Sequence, residues 1–185
     1  MATLSRTDFL SGAFAGGASA PLRPPWALAE AAFREACTGC GDCRRACPER
    51  ILVRGRGELP EVDFQRGGCT FCGACVSACP SGALVLSGAS GAGAAPQELP
   101  RDLPQDRPWD LTAVIGEDCL SLAGVTCRIC EERCSARAIR FRPQLGGRSA
   151  PRVEAAACTG CGDCLGACPA GAIEIQHARD VECAA

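Results

Sequence analysis

The sequence predicts an α+β chain that consists of two tandem copies of one small module joined by a flexible linker. A cysteine run recurs twice in each half of the 185 residues, and an Arg-Pro-Trp type of element precedes each half. Gly, Ala, Ser and Pro dominate the sequence between the halves, which is typical of a linker. We therefore divide the chain into an N-terminal arm (1–28), a first module (29–86), a linker (87–108) and a second module (109–180).

The arm begins like an export signal but departs from it at one position. Residues 5–10 read Ser-Arg-Thr-Asp-Phe-Leu, and Ala18-Ser19-Ala20 has the small residues of a cleavage site. A twin-arginine signal needs its second arginine where Thr7 stands, and the glycines and serines that follow are too polar for a secretory h-region. We expect a retained arm and a cytoplasmic protein. Export of a shortened chain is the alternative.

The first module contains two regular runs with the spacing C-x2-C-x2-C-x3-C-P. They are Cys37, Cys40, Cys43 and Cys47, and then Cys69, Cys72, Cys75 and Cys79. Bacterial proteins hold iron–sulfur clusters with this spacing, because cysteines at every third residue let one loop reach three corners of an Fe4S4 cube. Gly41 and Gly73 follow the second cysteine of each run, and Gly162 has the same position in the second module. A missing Cβ there permits a positive φ or a close approach to the cluster.

The second module contains one regular and one stretched run. The regular run is Cys158, Cys161, Cys164 and Cys168, and the stretched run is Cys119, Cys127, Cys130 and Cys134. The stretched run has five additional residues between its first two cysteines, and Ser135 stands where proline is expected. We therefore expect the cluster of the stretched run to be the most easily lost.

Short secondary-structure elements are predicted around the cysteine runs. Strands are expected at Ile51–Val53, Leu84–Leu86, Ala138–Phe141 and Ile173–Ile175, which are short apolar or β-branched runs. Helical turns are expected at Cys43–Cys47 and Cys164–Cys168. Aromatic residues make up 4% of the chain and tyrosine is absent, so the hydrophobic core is thin. We expect the clusters to hold the fold together and the apoprotein to be largely disordered.

Zinc sites and disulfides are the alternative uses of these cysteines. A structural zinc site pairs two C-x2-C motifs across a loop and does not use a third cysteine at the same interval. Disulfides fit poorly with an odd total of 17 cysteines and with neighbours only three residues apart. Sixteen of the cysteines fall in the four runs, and Cys183 is expected to be a spare thiol.

Composition and motifs exclude several classes of function. The formal charge is −2 and becomes about −10 once four clusters add −2 each, which argues against a nucleic-acid partner. No apolar run approaches the roughly 18 residues of a membrane span, so direct membrane insertion is not expected. The sequence shows no nucleophile–base pair, phosphate-binding loop or substrate signature. We therefore expect a protein that is not an enzyme.

Several motifs together resemble the NapF family of ferredoxin-type proteins. They are the paired cysteine runs, the Ser-Arg-x-x-Phe-Leu opening, Arg23-Pro24-Pro25-Trp26, Trp109-Asp110-Leu111, Cys119-x7-Cys127 and Phe141-Arg142-Pro143. The resemblance implies two tandem bacterial ferredoxin-like (2[4Fe-4S]) modules with four [4Fe-4S] clusters in the cytoplasm. It also implies contact with the catalytic molybdenum subunit of periplasmic nitrate reductase before export, to assist maturation of that subunit. The alternative function is a soluble polyferredoxin electron carrier that supplies a reductase.

The resemblance also implies which cysteines share a cluster, because two-cluster ferredoxins exchange the fourth ligand between runs. The implied sets are Cys37, Cys40, Cys43 with Cys79; Cys69, Cys72, Cys75 with Cys47; Cys119, Cys127, Cys130 with Cys168; and Cys158, Cys161, Cys164 with Cys134. Trp26 and Trp109 have two interpretations. They either anchor a partner protein or cover the surface of their own module.

Overall fold

A computed structural model describes residues 21–86 and 108–178. Predictions that concern residues 1–20, 87–107 and 179–185 lie outside the described residues, and these include the export-like segment, the flexible linker and the spare thiol of Cys183. The described residues form a small structure of short helices and strands, so the predicted α+β class is confirmed.

Five short α-helices occur in the described residues. They are α1 (Glu30–Ala36), α2 (Asp42–Ala46), α3 (Ala74–Ser77), α4 (Ile129–Arg133) and α5 (Asp163–Ala167). Helices α2 and α5 confirm the two predicted helical turns. Each of α2, α3 and α5 begins directly after a glycine with φ between 73° and 77°, so the predicted positive φ at Gly41, Gly73 and Gly162 is confirmed. None of the helices in 21–86 and 108–178 is long and apolar enough to cross a membrane.

Six strands form three antiparallel pairs in the same residues. The pairs are β1 (Leu52–Arg54) with β2 (Pro60–Val62), β3 (Leu111–Ile115) with β6 (Ile173–His177), and β4 (Ile139–Pro143) with β5 (Ser149–Val153). A short 3-10 helix, Arg56–Glu58, connects β1 to β2. Strands β1, β4 and β6 were predicted. Leu111 lies opposite His177, and Ile139 lies opposite Val153.

The predicted strand at Leu84–Leu86 is wrong, because only an isolated bridge between Ala27 and Leu84 forms there. The neighbouring chain explains the failure. Pro24 and Pro25 have no N–H to donate to a ladder, and Trp26 has a positive φ of 62°, which interrupts an extended backbone. The Ala27–Leu84 bridge of the first copy corresponds to the β3–β6 pair of the second copy. The internal repeat of the sequence is therefore also present in the fold.

Residues 22–28, which the sequence assigns to the arm, pack on the first module. The Val62 N–H donates to the Leu22 carbonyl at 2.8 Å, and the Val85 N–H donates to the Trp26 carbonyl at 2.9 Å. Arg23 donates two hydrogen bonds of 2.8 Å to the Glu30 carboxylate, and its guanidinium lies 5.2 Å from the Phe33 ring centre. The Arg-Pro-Pro-Trp element therefore ties the chain entry to helix α1.

The two copies share part of their hydrophobic core. Phe33, Ile51 and Phe64 lie in the core of the first module, and Trp109 and Leu111 of the second copy are buried in the same group. A second group contains Ala113, Ala138, Ile139 and Ile173. The sequence predicts two modules but did not predict that Trp109 and Leu111 complete the first one.

Candidate iron–sulfur sites

Three cavities are each lined by four cysteines. The first cavity contains Cys37, Cys40, Cys43 and Cys79; the second contains Cys47, Cys69, Cys72 and Cys75; the third contains Cys119, Cys127, Cys130 and Cys168. Each cavity receives three cysteines from one run and the last cysteine of the paired run. The folded chain thus brings together the cysteines that the resemblance assigns to three of the four clusters.

The remaining four cysteines form a fourth group around Cys164. Burial, together with negative charge on Cys161, Cys158 and Cys134, raises the pKa of Cys164 to about 12. Cys130, which lines the third cavity, also acts on this pKa. The fourth group therefore lies beside the third cavity, just as the first cavity lies beside the second, where Cys75 acts on the pKa of Cys43.

Burial favours the neutral form of several of these thiols as long as no iron is bound. Burial raises the pKa of Cys43, Cys69, Cys75 and Cys130 to about 11, because a charged thiolate is poorly solvated in an apolar cavity. Bound iron would offset this penalty with its positive charge. Four soft sulfur donors around each cavity match the four-cysteine ligand set of a [4Fe-4S] cluster. In 21–86 and 108–178, no three His, Cys, Asp or Glu side chains are placed to hold a single metal ion.

Hydrogen bonds to the cysteine sulfur atoms partly replace the water that a buried thiolate lacks. The Ala138 N–H donates to Cys134 Sγ at 3.2 Å, and the Ala172 N–H donates to Cys168 Sγ at 3.4 Å. Burial alone would raise the pKa of Cys79, but bonds from the Ser81 hydroxyl and from nearby backbone N–H groups lower it below its ordinary value. Such bonds stabilise a thiolate and influence the reduction potential of a bound cluster.

An aromatic row of Trp26, Phe71, Trp109 and Phe64 runs between the two copies. Successive rings meet edge to face, with centres 6.4, 5.6 and 5.8 Å apart. Trp109 is 9% exposed, and its Nε1–H donates to the Thr159 carbonyl at 2.9 Å. The Trp26 N–H donates to the Pro108 carbonyl at 2.9 Å, so the two Arg-Pro-Trp elements contact each other. Trp26 packs against Phe71 of its own module, as the second interpretation predicts. Trp109 instead packs its ring against Phe64 and Phe71 of the first module, which neither interpretation predicted.

The two copies also meet through backbone that lies next to cysteines. We call this the module contact and define it as residues 64–69 with residues 160–166. The Cys69 N–H donates to the Cys161 carbonyl at 2.8 Å. The Phe64 ring lies so close to Gly162 that a Cβ there would be 2.1 Å from a ring carbon. A Cβ on Gly68 would lie 2.6 Å from Asp163 Cβ. Glycine is therefore required on both sides of the contact.

The additional residues of the stretched run are anchored by one buried serine. Ser121 is 2% exposed, and its hydroxyl donates to the Ser149 carbonyl at 2.7 Å, at the beginning of β5. Leu122 and Val125 of the same loop are exposed. A serine in an inserted loop looks like an ordinary solvent-exposed residue in the sequence, so its anchoring role was not predicted.

Comparison with known proteins places the two copies in one cluster-binding family. The 4Fe-4S dicluster domain matches residues 36–83 and again residues 125–172. The chain is 38% identical over 175 residues to the ferredoxin-type protein NapF of Escherichia coli (strain K12), which covers 94% of both chains. It is 40% identical over 161 residues to NapF of Haemophilus influenzae, covering 87% of this chain and 82% of the relative.

A third relative has a different name. The methylamine utilization ferredoxin-type protein MauM of Methylorubrum extorquens is 35% identical over 183 residues, which cover 95% of this chain and 80% of the relative.

Two dicluster domains with two clusters each give four [4Fe-4S] clusters, so the predicted cofactor is confirmed.

Proposed function

The chain belongs to the NapF family of ferredoxin-type proteins, and from this membership we propose that it is an accessory protein for periplasmic nitrate reductase. It assists maturation of the catalytic molybdenum subunit while that subunit is still a cytoplasmic precursor, and it is not itself an enzyme. The similarity to NapF along 94% of both chains carries the proposal.

We also propose the assignment of the four clusters to cysteines. Each of the three cavities holds one cluster on the four cysteines that line it, and Cys158, Cys161, Cys164 and Cys134 hold the fourth. Bound clusters supply one-electron redox chemistry and contribute folding energy through their iron–thiolate bonds. The chain supplies the thiolates, the backbone N–H groups that donate to sulfur, and an apolar lining that limits contact with water.

The proposed location is the cytoplasm, where thiols stay reduced and the precursor is present. Cell fractionation tests it. The full-length chain should appear with cytoplasmic markers. Recovery in the periplasm of a form that begins near Pro21 would contradict the proposal and support the export alternative.

A basic surface on the β4–β5 hairpin is suited to a negatively charged partner surface. Arg140 lies directly opposite Arg152, and Arg142 and Arg148 are exposed on the same hairpin. Among the described residues none of these four arginines forms an ion pair. Two like charges placed opposite each other across strands destabilise the hairpin, so binding of carboxylates would relieve a repulsion.

The position of this hairpin supports the same conclusion. Leu145 at its tip is 99% exposed, and Phe141 of β4 lines the third cavity. The protein as a whole is acidic, so a cluster of positive charge is a local departure from its general surface. We propose that an acidic surface of the precursor docks on the hairpin, close to the cluster in the third cavity.

A pull-down of the tagged full-length protein from nitrate-grown cytoplasm tests the partner. The precursor of the catalytic subunit should be recovered, and R140E/R152E should reduce the recovery at least tenfold. The double variant R34E/R54E on the first module makes the same change in net charge and is the matched control. Iron content is measured for each variant to show that the clusters are intact.

Each other outcome of the pull-down has a defined meaning. Recovery of a soluble reductase in place of the precursor would favour the electron-carrier alternative. Equal losses in R140E/R152E and R34E/R54E would show that net charge, and not the hairpin, governs binding. In cells, deletion of the gene should lower nitrate reductase activity more than the abundance of the catalytic subunit.

A further inference from the structure

We propose that the module contact makes the second cavity and the fourth cysteine group an electron-exchanging pair, so that the four cluster sites form one series. The order along the series is first cavity, second cavity, fourth group and third cavity. The proposal goes beyond the accessory function, and it rests on the cluster assignment given above. Without the module contact the chain would hold two separate pairs of sites.

A short bonded path joins the two inner sites. Cys69 lines the second cavity and Cys161 belongs to the fourth group, and the hydrogen bond between their backbones is 2.8 Å long. From one sulfur to the other the path consists of covalent bonds within the two cysteines and this single hydrogen bond. No other residue has to be crossed.

The packing around this path holds the two copies tightly together. The Phe64 ring lies directly on Gly162, and Gly68 lies on the backbone of Asp163 at the beginning of α5. Trp109 closes one side of the contact and donates to the Thr159 carbonyl. Because these groups are in van der Waals contact and largely buried, the distance between the inner sites is fixed by packing and does not depend on the linker.

The ends of the series follow from the packing within each module. Helices α2 and α3 pack together, as do α4 and α5, and Arg133 of α4 forms a 3.1 Å ion pair with Asp163 of α5. These helices carry the third cysteines of the paired runs, so each outer site lies next to an inner site. The first and third cavities are therefore the ends. The third is the end beside the arginine-rich hairpin.

The step itself is a one-electron exchange. With clusters bound, one electron would pass from a reduced site in one module to its oxidised neighbour across the module contact, and Cys69 and Cys161 would hold the two sites next to each other. No covalent bond forms or breaks and no proton is transferred. The first electron comes from a low-potential one-electron reductant, for which a viologen radical serves in the test.

Two glycines provide a matched pair of variants for the experiment. Gly73 and Gly162 both follow the second cysteine of a regular run and have φ of 73° and 77°. A Cβ on Gly73 would meet nothing within 4 Å, whereas a Cβ on Gly162 would overlap the Phe64 ring. Gly73→Ala therefore carries the backbone strain and the effect of a methyl group beside its own cluster site. Gly162→Ala, at the equivalent position of its run, carries both of these and also forces the module contact apart.

The measurement is low-temperature electron paramagnetic resonance of the holoprotein during reduction by the viologen radical, with small-angle scattering for overall size. Iron and sulfide are first shown to be unchanged in each variant. The wild type and Gly73→Ala should show a magnetic interaction between the reduced clusters of the two inner sites, in addition to the interaction between the two clusters within each module. Gly162→Ala should lose it and have a larger radius of gyration, and F64A/G162A, which removes the overlapping ring, should regain part of the interaction.

Two results would overturn the proposal. One is an interaction of equal strength in Gly162→Ala and in Gly73→Ala. The other is a wild-type spectrum that equals the sum of two independent modules. If Gly162→Ala does not keep its clusters, Gly68→Ala replaces it, because a Cβ on Gly68 would overlap Asp163 and open the same contact from the other side. Recovery of the precursor is not measured in this experiment, so its result is independent of the partner proposal.

Discussion

Replacing Trp109 with alanine should destabilise both modules, because Trp109 completes a core that they share. The side chain is 9% exposed and contacts Phe64 and Phe71 of the first module. Removing a buried tryptophan costs about 3–5 kcal/mol. Loss of the hydrogen bond to Thr159 accounts for about 1 kcal/mol of this, and each edge-to-face ring pair accounts for about 0.5–1.5 kcal/mol beyond the buried area.

The rate at which a chelator removes iron from the anaerobic holoprotein measures this loss. A factor of ten corresponds to about 1.4 kcal/mol, so the fraction of opened molecules should rise by roughly a hundredfold to a few thousandfold. Trp109→Phe keeps a ring but loses the hydrogen bond, and it should cost about 1–2 kcal/mol. Leu145→Ala, at a side chain that is 99% exposed, is the control and should change the free energy of unfolding by less than about 0.5 kcal/mol.

The distribution of the released iron decides whether the core is shared. Rapid release of all the iron from Trp109→Ala would support the shared core. Rapid release of only half of it, with the clusters of the first module as resistant as in the wild type, would show that Trp109 stabilises the second module alone. The double variant W109A/F64A should lose less stability than the sum of the single variants, because the two rings contact each other.

Three further predictions concern the clusters. The anaerobically purified protein should contain about sixteen iron and sixteen sulfide ions per chain from its four clusters. Stoichiometric zinc without sulfide would contradict the cluster assignment. Complete removal of the iron should abolish the circular dichroism of the fold. Ser121→Ala should lower the free energy of unfolding by about 1–3 kcal/mol, because it leaves the Ser149 carbonyl unpaired. A chelator should then remove about a quarter of the iron before the rest. Leu122→Ala is the control and should leave the rate of iron release unchanged. Reconstitution of the clusters from iron and sulfide should become faster from about pH 7 to about pH 9, because each thiol must lose a proton to bind iron. Burial raises the pKa of Cys43 to about 11 and that of Cys164 to about 12, so these thiols are still mostly protonated in this range. The same raised pKa values disfavour an empty folded site as the pH rises above the ordinary thiol pKa of about 8.5, so the gain with pH comes from iron binding and not from a folded cluster-free chain. A rate of reconstitution that does not change with pH would refute this reasoning.

The local parts of the sites could be predicted from the sequence, because a cysteine loop and its helix are encoded within a dozen residues. The spacing of each run predicts the short helix behind it, and Gly162 predicts the positive φ where that helix begins. The strands were harder to predict from the sequence. Leu111–Ile115 has the apolar and β-branched residues of a strand and could have been recognised. Strands β2 and β5 contain Pro60 and Pro151, and a proline argues against a strand in sequence-based prediction.

The module contact could not be predicted in the same way, because it joins residues almost one hundred positions apart. Phe64 and Gly68 have no unusual neighbours in the sequence, and nothing near them indicates Cys161 or Asp163. The one available signal was the repetition of the Arg-Pro-Trp elements. The repetition predicts two similar modules, and the structure shows in addition that Trp26 and Pro108 of the two elements contact each other.

The position of Trp109 has a consequence for the order in which the protein is made. The ribosome completes the first module's cysteines at Cys79, but the core of that module lacks Trp109 and Leu111 until about thirty more residues have been added. At about 5–20 residues per second this interval lasts roughly two to six seconds. During that time the first pair of cysteine runs lacks part of its apolar cover, so the first module cannot close completely until synthesis of the second has begun.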